Sequence, residues 1–442
     1  MRISAAAVSG ASFSFGTLRK LIIVGLAAMI GTVSPSARSA ESSSSESFRL
    51  TLRRQEPGDG GATWYRTIES RAVVDAAATA LIICDVWDEH HCHRAVQRLT
   101  EFAPRIAAIA DAVRNAGGAV IHAPSDCMPA YREHPARARA ITTAAEVDRL
   151  RIPPDAADWC CRLPSEVSAE YPLDQSRGGE DDAPDEHAAW TARLASIGRN
   201  TGTPWRSQSP LVPIDGERDF VTDSGEEVAA ILEAREIRHV LLAGVHLNMC
   251  VLGRPFGLRR QVLAGKKVSL VRDLTDTMFD PAEWPWVDHF TATDRMVDHV
   301  ERYICSTVAS SDLLGGPAFR SPRDKRPTVA IVVAESEYGS HETLPAFAAR
   351  YLGDRFRVVT HHVANDDAHS IPGLQRLSDA DVLMLSVRRR GRLNEAMQSR
   401  RDWITSGRPI VAIRTASHAR EPRDAPDGRS TWAEFDRDVL AV

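Results

Sequence analysis

Residues 79–86 read Thr-Ala-Leu-Ile-Ile-Cys-Asp-Val. An unbroken apolar run rich in β-favouring side chains is the pattern of a strand covered on both faces, because a strand with one wet face alternates instead. The run ends on Asp85. Downstream, Phe102, Ile106, Ile109, Ala110 and Val113 recur at helical spacing, Gly117-Gly118 stops that helix, and 119–123 is a second apolar strand. After a long irregular insertion the alternation resumes with strand 211–214, helix 225–235, strand 239–245, helix 250–264, strand 267–272 and helix 293–304. Strands alternating with helices predict an α/β fold, a doubly wound and mainly parallel sheet over 73–310. Glycine and proline interrupt every period at 311–327, which reads as a linker. Beyond it, strands at 328–334, 356–361, 381–387 and 409–414, with helices at 342–351 and 393–406, predict a smaller, truncated, flavodoxin-like α/β domain over 328–442.

The 442 residues are 43% hydrophobic and 26% charged, an ordinary globular balance that excludes a mainly disordered chain. A net charge of -5 gives no reason to expect a nucleic-acid partner. The only lysines are Lys20, Lys266, Lys267 and Lys325 among 54 basic residues, so 50 are arginine. Residues 1–40 carry Arg2, Arg19 and Lys20, the apolar run Leu21 to Ile30, then small residues, and read as an export signal to the periplasm or beyond. The run is about half the roughly 20 residues of a membrane span, so no stable span is expected after cleavage. Residues 41–72 read as a Ser-rich linker and N-terminal extension. Seven cysteines are too sparse for a disulfide scaffold, and an odd number leaves at least one thiol unpaired within the chain.

In doubly wound sheets the ligand crevice lies beyond the carboxyl ends of the strands. Asp85 ends the first strand. Cys250 follows strand 239–245 and opens the next predicted helix, where unpaired backbone amides and the dipole would lower a thiol's pKa and hold an oxyanion. A thiol with an acid nearby to take its proton is the minimum for nucleophilic attack on an acyl carbon.

The stretch Gly244-Val245-His246-Leu247-Asn248-Met249-Cys250-Val251 resembles the nucleophile motif of the isochorismatase-like cysteine hydrolases, a superfamily that includes nicotinamidases. The resemblance runs on through Leu252-Gly253-Arg254-Pro255-Phe256-Gly257 and through 271–278, and spans about 73–310. It implies Asp85 and Cys250 as catalytic residues, and a cis Val245–His246 peptide helping to form the oxyanion hole. The family completes its triad with a lysine from the strand between acid and cysteine, and this chain has none from Leu21 to Gly265. Arg218, beside strand 211–214, is the substitute the sequence offers, although a guanidinium cannot shuttle protons as an amine does. Trp87, Asp88, His90, His122 and Asn248 are expected to line the pocket.

The cluster Asp88-Glu89-His90-His91-Cys92-His93 contains metal-ligating types but matches no structural zinc spacing. Asp126 and His134 lie in the region where some nicotinamidases hold a divalent metal. No cofactor is required by either pattern. Insertion 151–204, with Trp159, Cys160, Cys161, the acidic run Glu180 to Asp182 and Trp190, has the length of a lid or a dimer contact. At the C-terminus, 382–390, 407–419 and Trp432 to Asp436 resemble the start of a trehalose-utilisation (ThuA-like) domain. That family is related to glutamine amidotransferases, but Thr415, Ala416 and Ser417 stand where a nucleophilic cysteine would be, and Arg414 and His418 are the polar candidates nearby. The sequence therefore supports an exported hydrolase cleaving a C–N bond of a small amide or related compound. Its alternative is a catalytically decayed protein that binds a small, carbohydrate-related molecule. Association with a second copy of the chain is compatible with both.

Overall fold

The computed structural model describes residues 46–57, 65–335, 337–353, 355–363, 369–371, 373–388, 401–413, 416, 431–432 and 434–440. The expected export signal, and Arg389, Arg390, Arg414, Thr415, Ser417 and His418, lie outside them.

Among the described residues, twelve strands form two sheets. In the larger, β1 (Ser47–Pro57), β2 (Tyr65–Asp75), β3 (Thr79–Cys84), β4 (Ala119–Ala123), β5 (Phe220–Val221), β6 (His239–Val245), β7 (Lys267–Asp276) and β8 (Ser306–Val308) are ordered β2-β1-β8-β7-β6-β3-β4-β5. The six from β8 to β5 are parallel, and β1 and β2 add an antiparallel hairpin at one edge. All six residues of β3 are buried, as its unbroken apolar run requires. Ala80, Ile82 and Cys84 enter the core on one face and Leu81 and Ile83 the core on the other.

Helix α1 (His93–Asn115) covers one face through Leu99, Phe102, Ile106, Ile109 and Val113. The excursion from β4 to β5 carries α2 (Pro135–Ala145) and α3 (Pro184–Ser196). The opposite face is covered by α4 (Gly225–Ala234), α5 (Leu258–Leu263) and α6 (His289–Tyr303), which bury Val228, Ile231, Leu258, Met296 and Val300. Each such fully buried aliphatic side chain contributes about 1.5–3 kcal/mol. The chain runs outward from β3 to β4 and, from β6, outward the other way to β7. The junction of β3 and β6 is therefore the point where strand order reverses, and the crevice opens there.

After α7 (Ser311–Leu314), β9 (Thr328–Ala334), β10 (Arg357–His362), β11 (Val382–Val387) and β12 (Ile410–Ala412) make a parallel sheet in the order β10-β9-β11-β12, with α8 (Ser340–Tyr351) after β9. Segment 311–327 is not a loose tether. The Phe319 amide donates to Asp273 Oδ2 at 2.7 Å and Arg105 Nη2 donates to the Pro317 carbonyl at 2.7 Å.

Several sequence expectations are corrected. Residues 47–57 and 65–75 are long paired strands rather than an extension without structure. Residues 211–214 form no strand. Pro210 and Pro213 remove ladder donors there, and the short edge strand forms at Phe220–Val221 instead. The helix expected over 250–264 is two pieces, Leu247–Val251 and Leu258–Leu263, parted at Arg254 to Gly257, where Pro255 lacks a backbone donor. Of the helix expected at 393–406, the structure describes only the end, which is helical at 401–405. No helix among the described residues is long and apolar enough to cross a membrane.

Candidate active site

Asp85 follows β3 with no exposure to solvent and a φ of +49°, a left-handed conformation that costs a non-glycine residue energy. That geometry turns its carboxylate across the strand ends. Oδ1 accepts from the Ser125 amide at 2.7 Å, and Oδ2 faces Arg254 Nε at 3.3 Å. Cys250, part-buried in the turn after β6, interacts through its thiol with both the Asp85 carboxyl and the Arg254 guanidinium. The Val245–His246 peptide before it is cis. Gly244, at φ +121°, leaves no room for a side chain: a Cβ there would sit 2.0 Å from the Cys84 carbonyl oxygen.

The cation beside the thiol is Arg254, not Arg218. Arg218 lies at the surface with its side chain half exposed, bonded through Nε to Asp215 Oδ2 at 2.7 Å and through Nη1 to Asn115 Oδ1 at 3.2 Å. Arg254 is four residues beyond the cysteine, and its amide donates to the Cys250 carbonyl at 2.9 Å, so one turn of chain carries both groups. The signal was in the sequence: an arginine at i+4 in a region without lysine.

Burial, then the Asp85 carboxylate, push the Cys250 thiol well above the usual cysteine range, while Arg254 pulls it down. The lowered value expected of a helix N-terminus is therefore reversed, because the turn is short and the thiol faces a carboxylate in a dry site. Burial also raises Asp85 above the ordinary carboxylate value, against Arg254 and the Ser125 amide. Arg254 itself is held more firmly protonated by Asp85 and Cys250, against its own desolvation. The three groups form one coupled unit in which a proton can pass from sulfur to carboxylate while the cation faces both.

An aromatic wall stands beside this unit. Trp87 and Trp205 stack at 4.4 Å and 13°, and His90 lies nearly parallel to both at 5.9 and 5.8 Å. Cys250 and Trp205 both pack against the buried cluster that contains Trp87. Trp205 comes from the loop just after insertion 151–204, where no periodicity marks it.

The remaining sequence candidates have other duties. Asn248 is a brace: its amide donates to the Met278 carbonyl at 2.8 Å and its Oδ1 accepts from the Met278 amide at 3.0 Å. Asp88 ties down the loop before the sheet edge through Arg199 Nη2 at 2.8 Å and the Arg206 amide at 3.0 Å. His122 is sealed between Gln208 Oε1 at 3.1 Å and Asp219 Oδ2 at 3.0 Å, and Asp219 in turn receives Arg114 at 2.7 Å. These three hold the frame rather than line a pocket. His246 is buried, with both ring nitrogens lacking hydrogen-bond partners, and desolvation lowers it to about 3, so its ring is neutral.

Nor do Asp126 and His134 converge on a metal site. Asp126 is exposed, with Oδ2 3.8 Å from Arg254 Nη2, while His134 Nδ1 accepts from the Ala136 amide and caps α2. In the His90 to His93 cluster, Cys92 gathers with Asp181 and Asp182, and His93 Nδ1 lies 3.2 Å from Glu186 Oε1. Both carboxylates are in use: Asp181 takes both Arg98 Nη atoms at 2.8 and 3.1 Å, and Asp182 caps α1 by accepting from the His93 and Arg94 amides at 2.7 and 2.8 Å. A second group, Glu180, Asp182 and His187, shares that cap. The acidic run of the insertion is thus an anchor rather than a solvated face. All seven cysteines are free thiols.

No family model matches the chain, and no curated protein matches it. Among solved structures, the chain is similar to a cysteine hydrolase from Pseudomonas syringae pv. phaseolicola 1448A, at 12% identity over 55% of this chain and 92% of that one, with a TM-score of 0.32. It is also similar to an isochorismatase family protein from Burkholderia thailandensis, at 13% identity over 64% of this chain and 92% of that one, with a TM-score of 0.24.

Proposed function

We propose that the protein is a cysteine hydrolase that cleaves a C–N bond of a small amide or related compound. The observation that supports it best is the meeting of Cys250, Asp85 and Arg254 where strand order reverses. In this reading Cys250 gives its proton to Asp85 as sulfur attacks the carbonyl carbon, and Arg254 compensates the charge moving from carboxylate to sulfur. The oxyanion is received by the backbone amides of His246 and Cys250. Collapse expels the amine, which takes the proton from Asp85. Water then attacks the thioester, its proton passes to Asp85, and sulfur leaves to recover that proton. Arg254 moves no proton; it is an electrostatic partner with a planar fork. The wall of Trp87, Trp205 and His90 favours a flat or apolar group beside the scissile bond. Turnover on a panel of small amides tests the proposal, and activity that survives Cys250→Ala ends it.

The alternative, a binding protein on a decayed triad, draws support from the raised Cys250 thiol and from the missing lysine. Iodoacetamide labelling with and without a substrate-sized amide separates the two. Acylation of Cys250, trapped at acid pH and seen by mass, belongs only to the hydrolase.

A further inference from the structure

Two open spaces lie away from Cys250, in the crevice between the hairpin and α6 on one side and β10 on the other. One cavity has a volume of about 350 Å³ and its neighbour about 560 Å³, and both have Arg53, Arg326, Arg357 and Val359 on their walls. Volumes of this order suit a small metabolite, and seams between sheets are common places for one.

The walls of the larger cavity carry more arginines than carboxylates, and those of the smaller carry six of each. Five arginines line the larger cavity, against three carboxylates, Glu170, Asp294 and Asp298. Two of the three carboxylates are engaged: Asp294 receives Arg326 Nη2 at 3.0 Å, and Asp298 receives Arg302 Nη2 at 3.3 Å. Arg53 is used in part, with Nε on Glu301 Oε1 at 2.6 Å. Arg357 is different. It sits part-buried at the start of β10, its amide is satisfied by the Pro327 carbonyl at 2.9 Å, and its guanidinium has no hydrogen bond or ion pair among the described residues. A guanidinium on the wall of a crevice with no protein partner among the described residues, beside further arginines, is the arrangement that receives an oxyanion through two parallel N–H donors.

We propose that this crevice binds a small organic dianion, carried on a phosphate or on paired carboxylates, with Arg357 as its principal contact. The site is separate from Cys250 and does not depend on the hydrolase reading.

Isothermal titration of the full-length protein at constant ionic strength tests this with three probes: inorganic phosphate, glycerol 3-phosphate and citrate. Saturable binding is expected for at least one, weakened at least tenfold by Arg357→Ala, less by Arg357→Lys, and unchanged by Cys250→Ala or by Arg149→Ala on the exposed surface. Preference for the phosphate probes assigns phosphate chemistry, and preference for citrate assigns carboxylate. The Arg357 guanidinium has no partner among the described residues, so its variants should melt like the parent. If Arg357→Ala fails to fold, Val359→Trp, which fills the shared wall, must abolish binding. No saturable heat with any probe, or equal affinity in the parent and a folded Arg357→Ala or Val359→Trp variant, overturns the proposal.

Discussion

Replacing Arg254 by methionine keeps an unbranched apolar stem and removes the cation that faces the thiol. Nε lies 3.3 Å from the Asp85 carboxylate, and the side chain is only 24% exposed. At an effective dielectric of 20 the bare attraction is roughly 5 kcal/mol. The net value is smaller, because the charge also regains hydration when unpaired. Two hydrogen bonds to charged groups, at about 1.5–3 kcal/mol each, bound what the transition state can lose. Taking about 2–4 kcal/mol, kcat/KM should fall on the order of 30- to 800-fold. The second readout needs no substrate. Arg254 holds the Cys250 thiol down against burial and Asp85, so without it the thiol rises further. The pH profile of iodoacetamide alkylation at Cys250, followed by peptide mass because exposed Cys161 also reacts, should move to higher pH. Arg254→Lys should restore part of both effects. Removing one partner of a buried pair also destabilises by up to about 3–5 kcal/mol, so melting curves accompany each variant. A folded Arg254→Met protein that keeps kcat/KM within threefold and an unmoved alkylation profile refutes the assignment.

Trp205→Ala removes the ring stacked 4.4 Å from Trp87 and should raise KM for ring-bearing amides roughly tenfold, for a loss of about 1.4 kcal/mol, with kcat changed less; steady-state kinetics on cyclic and acyclic amides checks it. Gly244→Ala forces a Cβ onto the Cys84 carbonyl at a φ of +121° and should cost at least about 3 kcal/mol, seen as loss of soluble protein or a large drop in urea midpoint. Asp219 and Glu166 are both held down to about 2, against the burial that would raise them, by His122 and Arg114 in the first case and by His299 and Arg259 in the second. Their native values are depressed, so the stability they confer is present above the ordinary carboxylate range and is lost as pH falls from about 4 to about 2, on the order of 2–3 kcal/mol for each. Urea midpoints from pH 7 to pH 3 should fall for the parent and fall less for Asp219→Asn, which starts lower; Asp85, raised by burial, works in the opposite sense and softens the slope.

What was legible in the sequence is what depends on burial period. The unbroken run at Thr79–Cys84 and the spacing of Phe102, Ile106 and Val113 gave their elements because one core covers each of them. The hairpin was legible but unread: Phe48, Leu50 and Leu52 alternate with Arg49, Thr51 and Arg53, and the Ser-rich stretch before them obscured the period. Strand 211–214 fails for the opposite reason, since the apolar pair Leu211-Val212 flanked by prolines has the composition of a strand without its donors. Asp85 and Cys250 were placed by their position at strand ends. The duties of His122, Asp88 and Asn248 could not be read, because their partners Asp219, Arg199 and Met278 are distant in sequence and joined only by the fold.

The position of Arg254 also bears on the long insertion. An arginine on the turn after the cysteine has no strand to aim it, and its fork must be held from the side. Residues 151–204 supply that hold. The Cys160 amide donates to the Gly253 carbonyl at 2.8 Å, the Trp159 ring packs where a Gly253 Cβ would lie 2.4 Å from it, and Arg254 Cζ stands 5.6 Å over that ring. The same segment is fastened at its far points by Glu166 to Arg259 at 2.7 Å and by Asp181 to Arg98, so Trp159 does not float. Gly253 is thus required by the approach of an indole, and the indole by an arginine that must face two charges at once. The insertion acts here as the wall that orients Arg254 rather than as a lid over it.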